Sequence, residues 1–293
     1  MSGSAQAAEQ LGLPGMPRRL FTATPTRLTT WLDCPRRYRF AYLDRPGPPK
    51  GPPWAHNSLG ASVHLALAGW HRLEAAERSV EAAGRLLERV WLGDGFRDDE
   101  QATAWRVRAR DMVMRYVATL DPHEEPLGIE RTVATRTETL AVSGRIDRLD
   151  LRPGAEDDEL VVVDYKTGRH DLTTYDVRSS LALALYALAA ARTFRRRCVR
   201  VELHHLRSGE VVAHEHTAES LQRHLSRAEA IAVEAGAAEA AYRRGLTDDE
   251  ADALFPARVS SSCRYCDFVR HCPAGFAAQP PAQPWAAVQE PGS

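Results

Sequence analysis

The sequence predicts an α/β fold, in which a central β-sheet is flanked by helices and extended by further helices. Amphipathic helical periodicity dominates the chain up to residue 119. The segments 128–137 and 139–151 then alternate between apolar and polar residues and are rich in Val, Ile and Thr, as β-strands are. A short apolar run, Leu160–Tyr165, suits a central strand buried on both faces, and a long helical stretch over 174–193 follows it. This order of elements is typical of an α/β domain.

Capping residues and prolines bound the predicted helices that precede the sheet. Thr24 is a candidate N-cap, and Pro25 suits the first helical position because its missing N–H has no helical acceptor. Proline and glycine end helical structure in the segment 46–53. The predicted helices of this part cover residues 24–34, 36–43, 58–73, 79–92 and 101–119.

A strand pair and a helix follow the long helix over 174–193. Val199–Leu206 and Glu210–His216 have the composition of neighbouring strands, with Ser208 and Gly209 at the turn between them. Residues 218–244 are helical in pattern. The cysteine-containing segment comes next, so the sheet is expected to be complete before it.

Length and composition predict one folded domain between two tails. The chain has 293 residues, of which 44% are hydrophobic, enough to bury a sizeable core. The ends are rich in Gly, Ala and Pro. We therefore expect disordered tails at 1–20 and 275–293, and a single domain over 21–274.

Charge and hydropathy restrict the partners. The net charge of -1 excludes a globally basic protein, so any nucleic-acid contact must come from local patches. No signal peptide and no apolar run of membrane-spanning length are evident, which predicts a cytoplasmic protein without a membrane partner. In that compartment cysteines usually serve metals or catalysis rather than disulfides.

Two acids and a lysine form the strongest catalytic pattern. Asp147 lies in GRIDRLD, and Asp164 and Lys166 lie in VVVDYKTG, each at or near the end of a predicted strand. Residues two apart on a strand face the same side, so Asp164 and Lys166 are expected side by side. Carboxylates from two strands can hold a hard divalent cation, and a nearby lysine can orient water and stabilise developing charge. This is what phosphodiester hydrolysis requires.

The alternative interpretation of these residues is an ordinary surface ion pair on a hairpin, which contributes little. Three features oppose it. The run before Asp164 is strongly apolar, Gly168 lets the chain turn away, and Asp147 precedes at hairpin distance. The two fragments by themselves leave both interpretations open.

Together, GRIDRLD and VVVDYKTG resemble the core of RecB-family PD-(D/E)XK nucleases. The resemblance implies a restriction-endonuclease-like mixed central sheet flanked by helices. It also implies that Asp147 and Asp164 bind Mg²⁺ or Mn²⁺ and that Lys166 is catalytic. The family carries a further histidine ligand in a G-x-x-x-H context on an upstream helix, which His64 matches through Gly60.

Three further positions are compared with the same family. A Q-L-x-L-Y segment follows the D-x-K strand there, and here Tyr186 is kept while Ala182 stands at the glutamine position. The resemblance makes Tyr186 a candidate DNA contact, although a core aromatic explains it equally. Ala182 puts substrate handling in question without removing a metal ligand. Glu130 either faces the site as a further acid or is a solvated strand glutamate.

Four cysteines form a second constellation. Cys263-x2-Cys266-x5-Cys272 lies near the C-terminus, and Cys34 lies near the N-terminus. Two-residue spacing lets two thiolates converge on one centre, and Cys-Pro pairs at 34 and 272 are similar to those of iron–sulfur ligation. Zinc and a set of buried thiols remain alternatives.

This arrangement of one early and three late cysteines resembles AddB-type subunits and CRISPR-associated exonucleases. The resemblance implies a 4Fe–4S cluster held by Cys34, Cys263, Cys266 and Cys272, in a segment that joins the two ends of the domain. It also implies that the cluster supports DNA binding and is not the hydrolytic centre. Cys198 has no counterpart and is expected to be a free thiol.

The segment after Cys34 is the candidate path of a DNA strand. Arg36 and Arg37 can contact phosphates, and Tyr38 and Phe40 can stack on unpaired bases. The equally open alternative is an amphipathic helix with solvated arginines and with both aromatics in the core.

The sequence thus favours a metal-dependent DNA nuclease, an exonuclease on single-stranded DNA or DNA ends, acting in repair or recombination. The alternative is a weakly active or inactive DNA-binding scaffold that keeps the fold and the cluster. A redox protein would leave the acids and the lysine unexplained. No G-x-x-x-x-G-K-[ST] motif is present, so any unwinding requires a helicase or another repair protein as partner.

Overall fold

A computed structural model describes residues 20–154 and 157–288. The strands are β1 (Phe21–Ala23), β2 (Gly128–Arg136), β3 (Leu140–Arg152), β4 (Glu159–Lys166), β5 (Cys198–His205) and β6 (Glu210–Glu215). The helices are α1 (Pro25–Asp33), α2 (Pro35–Tyr42), α3 (Ala55–His71), α4 (Val80–Val90), α5 (Asp99–Val117), α6 (Thr174–Ser179), α7 (Leu181–Phe194), α8 (Ala218–Tyr242), α9 (Asp248–Leu254) and α10 (Pro273–Ala278). No helix among the described residues is both long enough and apolar enough to span a membrane.

The described strands form one mixed sheet. Its order is β1-β3-β4-β5-β6, and β2 also pairs with β3. The long strand β3 runs antiparallel to β2 and β4 and parallel to β1. The strands β4 and β5 are parallel, and β6 returns antiparallel to β5. This mixed sheet confirms the predicted fold class.

Helices cover both faces of the sheet, and β4 shows how the layers are divided. Val161 and Val163 pack against α3, α4 and α5 on one face. Leu160 and Val162 pack against α7 on the other. Successive strand residues point to opposite faces, so an uninterrupted apolar run is what a strand between two helical layers needs. A third apolar cluster joins α1, α7 and α8 around β1 and the start of β3.

The predicted long helix over 174–193 is two helices, α6 and α7, which meet at Ser180. This residue has φ -67° and ψ 108°, and its hydroxyl accepts a hydrogen bond from the Leu183 N–H. Serine favours this N-cap role because its side chain replaces a missing helical acceptor. Periodicity continues through the break, which is why the sequence pattern suggested one helix.

The short elements β1 and α9 were not predicted. The strand β1 has three residues, too few for an alternating pattern to be visible. The helix α9 begins after Thr247, whose side chain exchanges hydrogen bonds with the backbone and carboxylate of Glu250. That exchange is a capping box, and its T-x-x-E spacing is visible in the sequence.

The predicted disordered tail at 275–293 is wrong for residues 275–288. The helix α10 covers part of it, the Ala55 N–H donates to the Pro284 carbonyl at 3.1 Å, and Trp285 and Val288 pack against the cluster formed by α3, α4 and α5. The packing of the buried Val288 and the partly buried Trp285 orders a segment whose proline content prevents regular periodicity. Residues 289–293, and residues 1–19 of the predicted N-terminal tail, lie outside the described residues.

Candidate active site and family

Two neighbouring strands bring the predicted acids together. The antiparallel register of β3 and β4 pairs Arg148 with Val163, so Asp147 lies beside the end of β4 that carries Asp164. The Tyr165 N–H donates to Asp147 Oδ2 at 2.9 Å and ties the two strands at this point. The Asp147 carboxylate thus occupies a position set by the backbone of β4.

His64 reaches the same point from α3. Its Nδ1 lies 3.2 Å from Asp147 Oδ1, and its Nε2 lies 3.2 Å from the Tyr165 carbonyl oxygen. The approach of α3 to the end of β4 is close, since a Cβ on Gly60 would lie 3.5 Å from the Thr167 hydroxyl. The G-x-x-x-H spacing therefore places a small residue against β4 one turn before the histidine.

Asp164 and Lys166 are paired on one face of β4, as their spacing predicted. The Lys166 ammonium forms an ion pair with Asp164 Oδ2. Apart from this pair, Asp164 Oδ2 accepts no hydrogen bond from the described residues. The Lys166 side chain is 45% exposed while that of Asp164 is 21% exposed, so the amine lies at the solvent side of the carboxylate.

Glu130 enters the site from β2 through an unusual backbone conformation. Its φ of 50° is left-handed, which costs a non-glycine residue about 1 kcal/mol or more. Ligand atoms of Glu130, His64 and Asp147 lie within 4.8 Å of one another. The interpretation of Glu130 as a solvated strand residue fails, because its carboxylate is 16% exposed and faces this group.

Burial and the neighbouring charges shift the pKa values of three groups in the site. Burial raises the pKa of Asp164, and the charge of Lys166 only partly opposes it. Burial also raises the pKa of Glu130, with Arg145 opposing and Asp147 adding to the shift. For His64, burial alone would lower the pKa, but the hydrogen bond and charge of Asp147 outweigh it and the pKa is raised. The neighbouring carboxylates add to the shift of each of these three groups, and a cation bound between them would reduce their mutual repulsion.

The far face of β4 carries a buried polar network that the sequence patterns did not indicate. The Tyr165 hydroxyl lies 3.4 Å from His71 Nε2, and its ring packs at 76° against that of Tyr116. Arg148 donates to the Tyr116 hydroxyl at 3.1 Å. The sequence signal that could have indicated this network is the alternation of polar residues with Leu149 and Leu151 in β3. These contacts hold the backbone between the two charged residues of β4.

Comparison with known proteins identifies the family. Residues 22–273 match the sequence model of the PD-(D/E)XK nuclease superfamily. The chain belongs to this superfamily. The solved structure of a candidate exonuclease from Eubacterium rectale resembles the nuclease with a TM-score of 0.52 and 12% sequence identity, over 90% of this chain and 94% of that chain. A second structure, of SSO0001, aligns with a TM-score of 0.40 and 14% identity, over 88% of each chain. No curated protein matches the chain significantly.

The donor set of the nuclease fits the divalent cation that this superfamily uses. One imidazole nitrogen and carboxylate oxygens converge from α3, β2 and β3. Asp164 is not part of this close group, but its carboxylate interacts electrostatically with Asp147 and His64. Oxygen-rich sites with one imidazole suit Mg²⁺ or Mn²⁺. His64, Glu130, Asp147 and Asp164 are the residues that would hold it.

Tyr186 lies on α7 against β3, beside the site. A Cβ added to Gly144 would lie 2.4 Å from Tyr186 Cε1, so the tyrosine packs where only a glycine leaves room. Burial, followed by the charges of Asp164 and Asp147, raises its pKa to about 12. The ring is therefore a packed part of the site wall, and its role as a DNA contact stays a prediction.

We expect Gly144→Ala to destabilise the nuclease by about 1–3 kcal/mol, because the added methyl group overlaps the Tyr186 ring. Urea unfolding measures this. Gly168→Ala is the matched control, since nothing lies within 4 Å of its Cβ position, and we expect its stability to be unchanged within about 0.5 kcal/mol. Equal unfolding midpoints for the two variants would contradict the packing argument.

The four predicted cysteines surround one cavity. Cys34, Cys263, Cys266 and Cys272 line a space of about 350 Å³ between α2 and the segment before α10. A Cβ on Gly275 would lie 3.4 Å from Cys272 Sγ and 3.6 Å from Cys263 Sγ, so a glycine keeps this space open. The fifth cysteine, Cys198, is buried in β5, and burial raises its pKa to about 12.

Three of these sulfurs accept backbone hydrogen bonds. Arg37 N–H donates to Cys34 Sγ at 3.5 Å, Ser260 N–H to Cys263 Sγ at 3.4 Å, and Gly275 N–H to Cys272 Sγ at 3.4 Å. Such bonds stabilise thiolate ligands. Within the described part of the chain no three cysteine sulfurs lie within 4.8 Å of one another. A single zinc ion bound by three or more cysteines needs sulfurs about 3.8 Å apart, and these sulfurs do not meet that spacing.

The residues predicted to contact DNA after Cys34 lie in different environments. Arg36 is 11% exposed, forms an ion pair with Asp252 and donates to the Phe255 carbonyl, so these contacts remove it from the set of candidate DNA contacts. Tyr38 and Phe40 are buried, which supports the core alternative. Arg37 lines the cysteine cavity, where its charge lowers the pKa of Cys266 against the larger effect of burial.

Proposed function

We propose that this superfamily member is a RecB-family deoxyribonuclease, a Mg²⁺- or Mn²⁺-dependent exonuclease that acts on single-stranded DNA or DNA ends in repair or recombination. One observation carries the proposal. His64, Glu130 and Asp147 present ligand atoms within 4.8 Å of one another beside the ion pair of Asp164 and Lys166. The exonuclease designation of the Eubacterium rectale protein supports the mode of cleavage.

The residues divide the chemistry between them. When bound, the cation polarises the phosphate and lowers the pKa of water. His64, Asp147 and Asp164, with Glu130 beside them, form its cradle. Lys166 orients the attacking water and stabilises charge that develops on the phosphate, because its ammonium lies at the open side of Asp164. Burial raises the pKa of Tyr186, and its packed ring lies close enough to this cradle for the charges of Asp164 and Asp147 to raise that pKa further.

The cysteine cavity is proposed to hold a 4Fe–4S cluster. Its volume, its wide sulfur spacing and its backbone N–H donors support a multi-atom centre over zinc. Such a cluster would join α2 to the segment before α10. The positive charge of Arg37 beside the thiolates would offset part of the negative charge of a four-thiolate cluster.

Metal-dependent cleavage of open and closed substrates tests the proposed activity. The purified protein is incubated with labelled linear and circular single-stranded DNA, in Mg²⁺, Mn²⁺ or EDTA. We expect shortening of the linear strand in either metal, an intact circle, and no cleavage in EDTA. Cutting of the circle would replace the exonuclease by an endonuclease. DNA binding without cleavage in either metal would favour the scaffold, to which Ala182 points, and duplex cleavage only with an added helicase would identify the partner class.

A further inference from the structure

An exposed arginine, Arg145, lies next to the proposed cation cradle. Arg145 is on β3, two residues before Asp147, so both side chains leave the same face of the strand. Its side chain is 70% exposed. Within the described part of the chain, its guanidinium contacts one acceptor, Glu130 Oε2, at 2.7 Å from Nε. Its two terminal nitrogens make no hydrogen bond to the described residues.

The partner of this arginine is itself a member of the cradle. Glu130 is 16% exposed, and its left-handed backbone turns its carboxylate towards His64 and Asp147. Glu130 has no partner in the ladder between β2 and β3, although both of its neighbours on β2 pair with residues of β3. The same carboxylate is therefore within reach of a guanidinium on one side and of the metal ligands on the other.

The neighbouring arginine of β3 shows that this arrangement is specific to Arg145. Arg148 points to the opposite face, is 6% exposed, and is paired with Asp150 in the buried network. It is a structural residue. Arg145 has the opposite properties, since it is exposed, has free donors, and lies beside the position where a scissile phosphate must meet the cation. Guanidinium groups bind phosphate in a bidentate fashion with two such donors.

We propose that Arg145 is a phosphate-binding residue of the substrate strand, and that Glu130 holds it until the cation binds. The inference rests on the proposed nuclease function. A cation in the cradle competes with Arg145 for the Glu130 carboxylate and releases the guanidinium for the DNA. Cation binding and DNA binding are then coupled, and the coupling is reciprocal.

Fluorescence anisotropy with a labelled 20-nucleotide oligothymidylate measures this coupling without cleavage. Dissociation constants are compared in EDTA and in Ca²⁺, which is also a hard, oxygen-binding cation. We expect Ca²⁺ to tighten binding to the wild type about fivefold or more. In Arg145→Ala we expect binding in Ca²⁺ to weaken about fivefold to tenfold and the salt slope to fall by about 0.7, the value for one phosphate contact on a single strand.

A matched variant and a double-mutant cycle separate this mechanism from a change in net charge. Arg136→Ala removes an exposed arginine at the far end of β2, and we expect wild-type binding. Glu130→Gln frees Arg145 without a cation, so its binding in EDTA should approach that of the wild type in Ca²⁺. The same substitution should give no gain in the Arg145→Ala background.

The outcomes that overturn the inference are distinct from those that overturn the function. If Arg145→Ala binds like the wild type, or if Glu130→Gln tightens binding equally in both backgrounds, Arg145 does not hold the phosphate and the inference fails while the nuclease stands. If the wild type neither binds nor cleaves this strand in Mg²⁺ or Mn²⁺, the proposed function fails and the inference fails with it. Unfolding midpoints of all variants identify any loss of fold.

Discussion

Lys166→Met is expected to reduce the rate of DNA cleavage by about 10³-fold while leaving DNA binding in Ca²⁺ intact. The substitution keeps the length of the side chain and removes the ammonium that pairs with Asp164. Without that charge, the attacking water loses its orienting group, and the negative charge that develops on the phosphate loses a partner. Single-turnover cleavage of a labelled strand in Mn²⁺ measures the chemical step directly.

The sequence offers a matched control for this experiment. Lys50 is the other lysine of the chain, and it is exposed in the proline-rich loop before α3. Lys50→Met loses the same charge, so we expect wild-type cleavage. A Lys166→Met protein that cleaves as fast as this control would remove Lys166 from the mechanism, and the cradle would have to act without it.

Cys272→Ala is expected to cost the protein its visible absorption, its bound iron and about 3 kcal/mol or more of stability. For a domain of this size that loss lowers Tm by about 10 °C. Cys272 is the N-cap of α10 and packs with Phe40 and Phe268, so the substitution removes a proposed cluster ligand and part of the packing of this segment. Iron content, absorption spectra and thermal unfolding of anaerobically purified protein are the measurements.

Cys198→Ala is the matched control because Cys198 is equally buried but lies in β5, outside the cysteine cavity. We expect it to keep its colour and iron and to lose about 1 kcal/mol from the small cavity. A colourless wild-type protein that contains one zinc ion per chain would overturn the cluster proposal. Cleavage activity is assayed separately, since the cradle and the cysteine cavity use different residues.

Loss of the proposed cluster is also expected to affect the active site. The segment that carries the late cysteines is joined to the start of α3 by the Gly51 N–H bond to the Asp267 carbonyl at 2.8 Å and by the Trp54 indole bond to the Asp267 carboxylate at 2.8 Å. His64 lies further along α3. A shift of this segment therefore changes the support of a proposed metal ligand, without touching the ligand itself.

Sequence reasoning predicted the elements well where burial follows the period of the element. The apolar run before Asp164 is a strand between two helical layers, and Thr24 caps α1. It failed where a local hydrogen bond overrides the period, as at Ser180. It also failed where two apolar side chains order an irregular segment, as Trp285 and Val288 do.

The sequence by itself predicted the fold class, most of the elements and the superfamily, and it proposed the acids and the lysine of the site, because these follow from short motifs and from residue periodicity. Only the tertiary structure decided which side chains meet. The left-handed backbone at Glu130 turns its carboxylate towards His64 and places it against Arg145. The Arg36 side chain forms an ion pair with α9. The physical reason is that periodicity reports which face of an element is buried, whereas the meeting of distant side chains depends on how the layers pack.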